Sequence, residues 1–338
     1  MKDFRSKLAV ITGTGTGIGR ELALQLAAEG CHLAICDILL ENMAETKKAC
    51  EQLAPAGTRI TSHECDVSDE GQVVAFRDAV LQQHETDHIN LLFSNAGIGG
   101  GGSFLLDDRA DWDKTFGVCW FGVYYCARAF LPLLIASAQG YIVNISSING
   151  FWASLGPGMP HTAYSTAKFA VKGFTEALLN DLRNYAPHVK AAVVMPGHIG
   201  TSIVVNSRTV LGKPSMENMP AEELAAMRSR LEHQGIPTGA ISDEQLKGFI
   251  RQRMDDFQDK APVTPAQAAT MILDGVRSEQ WRILVGEDAH ALDRLVREQP
   301  EMAYELSFLG QLQAAGHFNE LIPPVPNPEP ASDSADRC

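Results

Sequence analysis

Along this chain, short and almost wholly apolar runs alternate with longer runs in which apolar residues recur every three or four positions. Residues 7–12, 32–36, 59–67, 89–94, 141–145, 189–194 and 281–285 form the short runs and predict seven strands. The first long run, 17–29, places Ile18, Leu22, Leu26 and Ala27 on one helical face, with Gly30 set to end it. Helices are also predicted over 41–53, after Ser68 as a cap, over 110–134 with Pro132 near the end, and over 163–185. Strands buried on both faces, separated by amphipathic crossovers, predict an α/β fold: a doubly wound, parallel, seven-stranded sheet with helices on both faces.

The pattern changes between residues 202 and 260, where two polar amphipathic helices and no strand are predicted. One starts at Ser242, with Gln245 completing a capping box and Leu246, Phe249, Ile250, Met254 and Phe257 as its apolar stripe. Thr264, Pro265 and Gln267 start another helix in the same way. No linker or internal repeat divides the chain, so residues 1–321 read as one domain with 202–260 as a helical insertion. Residues 322–338 are Pro-rich and polar, and a flexible tail is expected there.

Composition narrows the partners. The 338 residues are 45% hydrophobic and 20% charged, with a formal net charge of −13. An acidic surface repels nucleic acid and anionic lipid, so neither is an expected partner. Seven cysteines, none spaced C-x-x-C, read as reduced buried thiols with no metal site. No uncharged run reaches transmembrane length, and a cytoplasmic location is expected.

Candidate chemistry begins where the first strand delivers Thr12-Gly13-Thr14-Gly15-Thr16-Gly17-Ile18-Gly19. Glycines between a strand and a helix allow a tight turn, close backbone approach to a pyrophosphate, and close helix–sheet packing. The helix N-terminus then offers free N–H groups to the anion. The spacing T-G-x-x-x-G-x-G resembles that of the short-chain dehydrogenase/reductase family, whose members have the Rossmann fold. Asp37 ends the second strand, where a carboxylate can accept from adenosine ribose hydroxyls and would repel a 2′-phosphate; Ile38 supplies no compensating charge, which favours NAD over NADP. The resemblance extends to Asp66-Val67, which it implies flank the adenine, and to Asn95-Ala96-Gly97, which it implies support the sheet and cofactor.

Tyr164 and Lys168 lie one helical turn apart at the start of the helix after the fifth strand. An ammonium there is expected to lower the tyrosine pKa, so that the pair exchanges the substrate proton while hydride moves to or from the nicotinamide. The family resemblance implies that Ser147, in Asn144-Ile145-Ser146-Ser147, holds the substrate oxygen, and that Ile199 and Thr201, in Pro196-Gly197-His198-Ile199-Gly200-Thr201, meet the nicotinamide carboxamide. Two departures stand out. Cys119 occupies the family's usual asparagine position, which belongs to a proton relay to the lysine. The loop from Ser147 to Tyr164 is longer than usual and carries Phe151, Trp152, Leu155, Met159 and His161. Phe151, Trp152 and His198 are candidate substrate contacts, although a histidine in such a turn is ordinarily solvated.

These features predict an NAD-dependent oxidoreductase acting on a bulky, apolar or aromatic secondary alcohol or ketone, with the 202–260 stripe either closing over the nicotinamide or packing on the core or a neighbouring subunit. The alternatives are a dehydratase or epimerase on the same scaffold and a non-catalytic NAD-sensing protein, for which Cys119 speaks. A homodimer or homotetramer through the two long helices is implied by the resemblance.

Overall fold

The computed structural model describes residues 1–155, 159–233, 236, 238 and 241–319. Seven strands form one sheet: β1 (Leu8–Thr12), β2 (His32–Asp37), β3 (Ile60–Glu64), β4 (Leu91–Ser94), β5 (Gly140–Ile145), β6 (Val189–Pro196) and β7 (Arg282–Val285). Their order is β3-β2-β1-β4-β5-β6-β7 and every pairing is parallel. The order reverses between β1 and β4, so a crevice opens at the carboxyl ends of those strands. The predicted seven-stranded, doubly wound parallel sheet is therefore the observed one.

The helices are α1 (Gly17–Ala28), α2 (Leu40–Leu53), α3 (Glu70–His84), α4 (Arg109–Phe116), α5 (Gly122–Ala136), α6 (Thr162–Tyr185), α7 (Ile203–Val210), α8 (Ala221–His233), α9 (Asp243–Asp259), α10 (Pro265–Arg277), α11 (Glu287–Glu298) and α12 (Leu306–Ala314). One face of the sheet buries Ile11, Leu33, Phe93 and Val143 against Leu22 and Leu26 of α1 and Ile272 of α10. The other buries Val10, Leu92 and Ile142 against Val80, Phe130 and Leu182 of α3, α5 and α6. Each such aliphatic or aromatic side chain contributes roughly 1.5–3 kcal/mol on burial.

Several local expectations change. Asp69, not Ser68, caps α3: its carboxylate accepts from Gln72 N at 3.1 Å, while the Ser68 hydroxyl donates to Asp66 Oδ1 at 2.6 Å. The predicted helix over 110–134 is interrupted by a π-helical turn, Gly117–Phe121, between α4 and α5. Taken together, Arg109–Ala136 is long and apolar enough to cross a membrane. It is instead the crossover from β4 to β5, and Cys126, Phe130 and Leu134 are buried in the core.

Among its described residues the 202–260 segment holds three helices, not two, because α7 follows the β6 turn directly. Both predicted capping boxes form, Ser242 with Gln245 and Thr264 with Gln267. The α9 stripe does not act as one surface. Leu246, Ile250 and Met254 pack with Met216, Met219 and Leu224, joining α9 to α8 and the loop before it. A further small core joins Ile148 and Trp152 to Leu292 of α11 and Phe308 of α12. The Pro-rich tail at 322–338 lies outside the described residues.

Candidate active site

At the crevice, a cavity of about 340 Å³ runs from the glycine turn to the N-terminus of α6. Its lining includes Gly13, Thr16, Gly17, Ile18, Asp37, Asp66, Val67, Asn95, Ser147, Tyr164, Lys168, Ile199 and Thr201, so most sequence-predicted residues meet in one place. Gly19 does not line it. It lies where α1 presses on the turn, and a Cβ there would overlap the Gly13 carbonyl oxygen and the Asn95 side chain. Gly13 adopts φ +71°, and a Cβ on it would come to 2.7 Å from Ala96 Cα.

Asn95 fixes this turn. Its Nδ2 donates to Thr12 O and Gly13 O, both at 3.0 Å, while its backbone N–H donates to Thr12 Oγ1 at 3.0 Å. The Asp37 carboxylate accepts from Gly15 N at 2.7 Å and Leu39 N at 2.8 Å, which holds it at the cavity edge beside the turn. Asp66 is ion-paired with Lys114 at 2.5 Å and accepts from Ser68; these bonds hold its carboxyl below the usual range although burial opposes them. Its carboxylate is thus committed to the protein.

At the far end, the Ser147 hydroxyl accepts from Asn149 N at 3.1 Å and lies in hydrogen-bonding reach of the Tyr164 phenol. Lys168 Nζ donates to Ile145 O at 2.9 Å and stands 5.4 Å from the Tyr164 ring centre. The expected lowering of the tyrosine pKa is not what the protein alone produces. Burial pushes Tyr164 up, Cys119 adds to that, and the Ser147 bond only partly offsets it. Burial likewise pushes Lys168 down. Desolvation of the phenolate in an apolar cavity outweighs the neighbouring ammonium, which is held by a carbonyl.

Cys119 sits in the π turn and is wholly buried. Its thiol donates to Ile98 O at 3.2 Å, and its sulfur accepts from Ile98 N at 3.4 Å. The thiol thereby clamps the loop after β4 to the helix. Gly97 lies between it and the lysine: a Cβ there would stand 3.4 Å from Lys168 Nζ and 3.8 Å from Cys119 Sγ.

Of the three further candidate substrate residues, Trp152 and His198 line the cavity and Phe151 does not. Phe151 does not line the cavity; it packs with the small core beside α11 and α12. Trp152 touches the cavity, but its indole N–H donates to Ala303 O at 2.6 Å and its ring neighbours Phe308, so it mainly anchors the C-terminal helices. His198 is buried rather than solvated. Its backbone N–H donates to Asp288 Oδ2 at 2.6 Å, and its Nε2 lies 2.6 Å from Phe257 O. Phe257 is the part of the α9 stripe that reaches the cavity.

The element that closes directly over the site is α7, which the sequence pattern does not reveal. Asn206 Nδ2 donates to Thr16 Oγ1 at 2.8 Å, tying α7 to the glycine turn, and Ser207 Oγ accepts from Gly99 N at 2.7 Å. Ile203, Val204 and Val210 add apolar wall, and Phe318, beyond α12, completes it. All six described cysteines are buried free thiols, and no cluster of three metal-ligating side chains occurs among the described residues.

A parallel sheet with a glycine turn at its switch point, facing a serine, a tyrosine and a lysine across one cavity, defines a dinucleotide-binding protein of the oxidoreductase type. The family model for short chain dehydrogenases matches residues 7–211, and the chain belongs to this family, whose members are oxidoreductases using a nicotinamide cofactor. It is 34% identical over 297 residues to the oxidoreductase SadH of Mycobacterium tuberculosis, covering 88% of this chain and 92% of that one. A short-chain type dehydrogenase/reductase of Mycolicibacterium smegmatis is 30% identical, over 72% of this chain and 88% of its own. Among solved structures, a short-chain dehydrogenase/reductase of Burkholderia phymatum in complex with NAD superposes with TM-score 0.69 at 28% identity, covering 89% of this chain and 96% of that one.

Proposed function

We propose that the protein is an NAD-dependent dehydrogenase that interconverts a bulky, apolar or aromatic secondary alcohol and its ketone. The observation that carries this reading is the convergence of Ser147, Tyr164 and Lys168 on one cavity that also contains the glycine turn and Asp37. The turn, the α1 N-terminus and the rest of this surface fit a dinucleotide: glycines leave room for a pyrophosphate, and Asp37 stands where a ribose would lie. Bound nicotinamide would supply the hydride acceptor or donor. Ser147 and Tyr164 hold the substrate oxygen, and in the reduction direction the Tyr164 phenol, which burial keeps protonated, gives its proton to that oxygen as the carbonyl carbon accepts hydride. Lys168 Nζ, held by Ile145 O, stands 5.4 Å from the Tyr164 ring centre and positions the phenol side of the site. Ile199 and Thr201 border the nicotinamide end.

NAD is favoured over NADP because a 2′-phosphate would face the Asp37 carboxylate, and the neighbouring Ile38 offers no cation. The apolar substrate is read from Leu155, Val204, Val210 and Phe257 around the catalytic end. We further propose a homodimer or homotetramer through the π turn, α5 and α6, where Phe121, Ile135 and Phe169 are exposed; one monomer mass by light scattering at micromolar concentration would contradict this. The main test is turnover of secondary alcohols monitored through the reduced cofactor. Tyr164→Phe should lower kcat by about 10²–10⁴-fold while leaving cofactor binding intact. Equal activity in the variant, or no net redox turnover by the parent protein, would refute the reading.

A further inference from the structure

His161 occupies the N-cap position of α6, three residues before Tyr164, and its ring centre lies 4.6 Å from that of the tyrosine at a 36° tilt. It lines the same cavity. The polar side chains around it are largely committed: Lys168 Nζ to Ile145 O, Asn149 Nδ2 to Trp152 O and Ser154 O, and His198 Nε2 to Phe257 O. His161 differs, since neither ring nitrogen has a hydrogen-bond partner among the described residues. The ring is only partly buried and opens on the cavity, where a polar atom of a bound ligand can pair with its nitrogens. Burial depresses its pKa to about 4, so at neutral pH it is an uncharged imidazole with one N–H donor and one acceptor nitrogen.

We propose that His161 is a specificity-determining residue that hydrogen-bonds a second substrate oxygen, a hydroxyl or carbonyl on the carbon next to the reacting one. This inference rests on the dehydrogenase reading above. Once the reacting oxygen sits between Ser147 and Tyr164, the substituents of the carbinol carbon lie beside the His161 ring that adjoins Tyr164. A vicinal oxygen is within reach of a bond of about 2.7–3.2 Å to that ring, whereas the rest of the wall, with Leu155, Val204, Val210 and Phe257, accepts hydrocarbon. The preferred substrates are therefore apolar vicinal diols, or the corresponding hydroxyketones and diketones. A site built to bond such a group discriminates strongly against the analogue without it, because its own polar atom is then left unpaired.

The test compares kcat and KM for 2-methyl-1-phenylpropan-1-ol and 2-methyl-1-phenylpropane-1,2-diol, whose second hydroxyl is tertiary and cannot be oxidised, with NAD and with NADP, in the parent protein, His161→Phe and His161→Gln. The added hydroxyl withdraws electrons and makes hydride loss harder, so a preference for the diol reports recognition. The parent should favour the diol about tenfold or more in kcat/KM, mainly through KM. The ratio should collapse in His161→Phe and be partly restored in His161→Gln. A parent ratio near one overturns the proposal whether or not the variants fold. So does an equal loss on both alcohols in His161→Phe, the result expected if the ring only props Tyr164. No turnover of either alcohol with either cofactor overturns the dehydrogenase reading and this inference with it; turnover without a diol preference overturns this inference alone.

Discussion

At the scale of single residues, the site depends on how each polar atom is already engaged. Asp37 is the clearest case. Its oxygens bind the amides of Gly15 and Leu39, so the carboxylate both shapes the glycine turn and presents negative charge to whatever lies beside it. Replacing it with serine should weaken NAD binding and shift the ratio of kcat/KM for NAD over NADP downward by about 10- to 100-fold, since hydrogen bonds to a charged group are worth roughly 1.5–3 kcal/mol. An unchanged ratio would remove Asp37 from cofactor selection. A drop in Tm without a change in ratio would leave it only its role in the turn. The position of Asp37 was legible in the sequence because a strand end and a following apolar residue define it. The bonds of His198 and Trp152 were not legible. Their partners, Asp288, Phe257 and Ala303, lie far away in the chain, and no local pattern announces a contact over such separations.

At the scale of elements, strands and capped helices follow from local periodicity and from S/T-x-x-Q pairs, and both predicted capping boxes formed. The π turn at Gly117–Phe121 does not follow from periodicity, because the run around it is apolar on most sides, so the phase shift from one extra residue leaves no mark in the pattern. It is placed where Cys119 can clamp Ile98 and so set the loop that carries Asn95 to Gly97. Similarly, α7 is short, with Ile203, Val204 and Val210 lining the cavity and Val205 exposed, so its pattern does not read as a core helix. The β6 turn depends on α11 in a way that can be tested. Asp288 accepts the His198 amide, and the turn glycine Gly197 leaves no space for a Cβ beside that carboxylate. Asp288→Ala leaves a buried N–H unpaired and should cost about 1–3 kcal/mol in urea unfolding. It should also raise the Kd for NAD, because Ile199 and Thr201 follow directly in the chain. Unfolding and NAD affinity equal to the parent's would show that the turn holds its shape without α11.

At the scale of the whole molecule, burial that builds the sheet and the cavity also sets how stability responds to acid. His161 and His84 are both depressed to about 4 by burial, and His63 and His32 are lowered in the same direction. In the unfolded chain these imidazoles titrate near 6.5. Between about pH 6.5 and 4 the unfolded chain therefore binds more protons than the folded one, and stability falls as the pH drops through that window. For the His161 ring, which is partly exposed to the cavity, the loss is at most on the order of 3 kcal/mol; His84, also partly exposed, contributes less. Asp66 acts in a lower range: its carboxyl is held below 3.8, so its contribution persists above that value and disappears only as the pH falls further. The two classes of group thus separate along the pH axis. Tm should be nearly level above pH 7 and decline steadily from about 6.5 toward 4.5. In His161→Phe, where the ring at that position carries no titratable nitrogen, the decline should be shallower by a margin that a melting series at half-unit pH steps resolves. A parent Tm that stays level down to pH 4.5 would mean that these rings are hydrated enough to accept protons. For His161 that would also remove the dry wall against which a second substrate oxygen would be recognised.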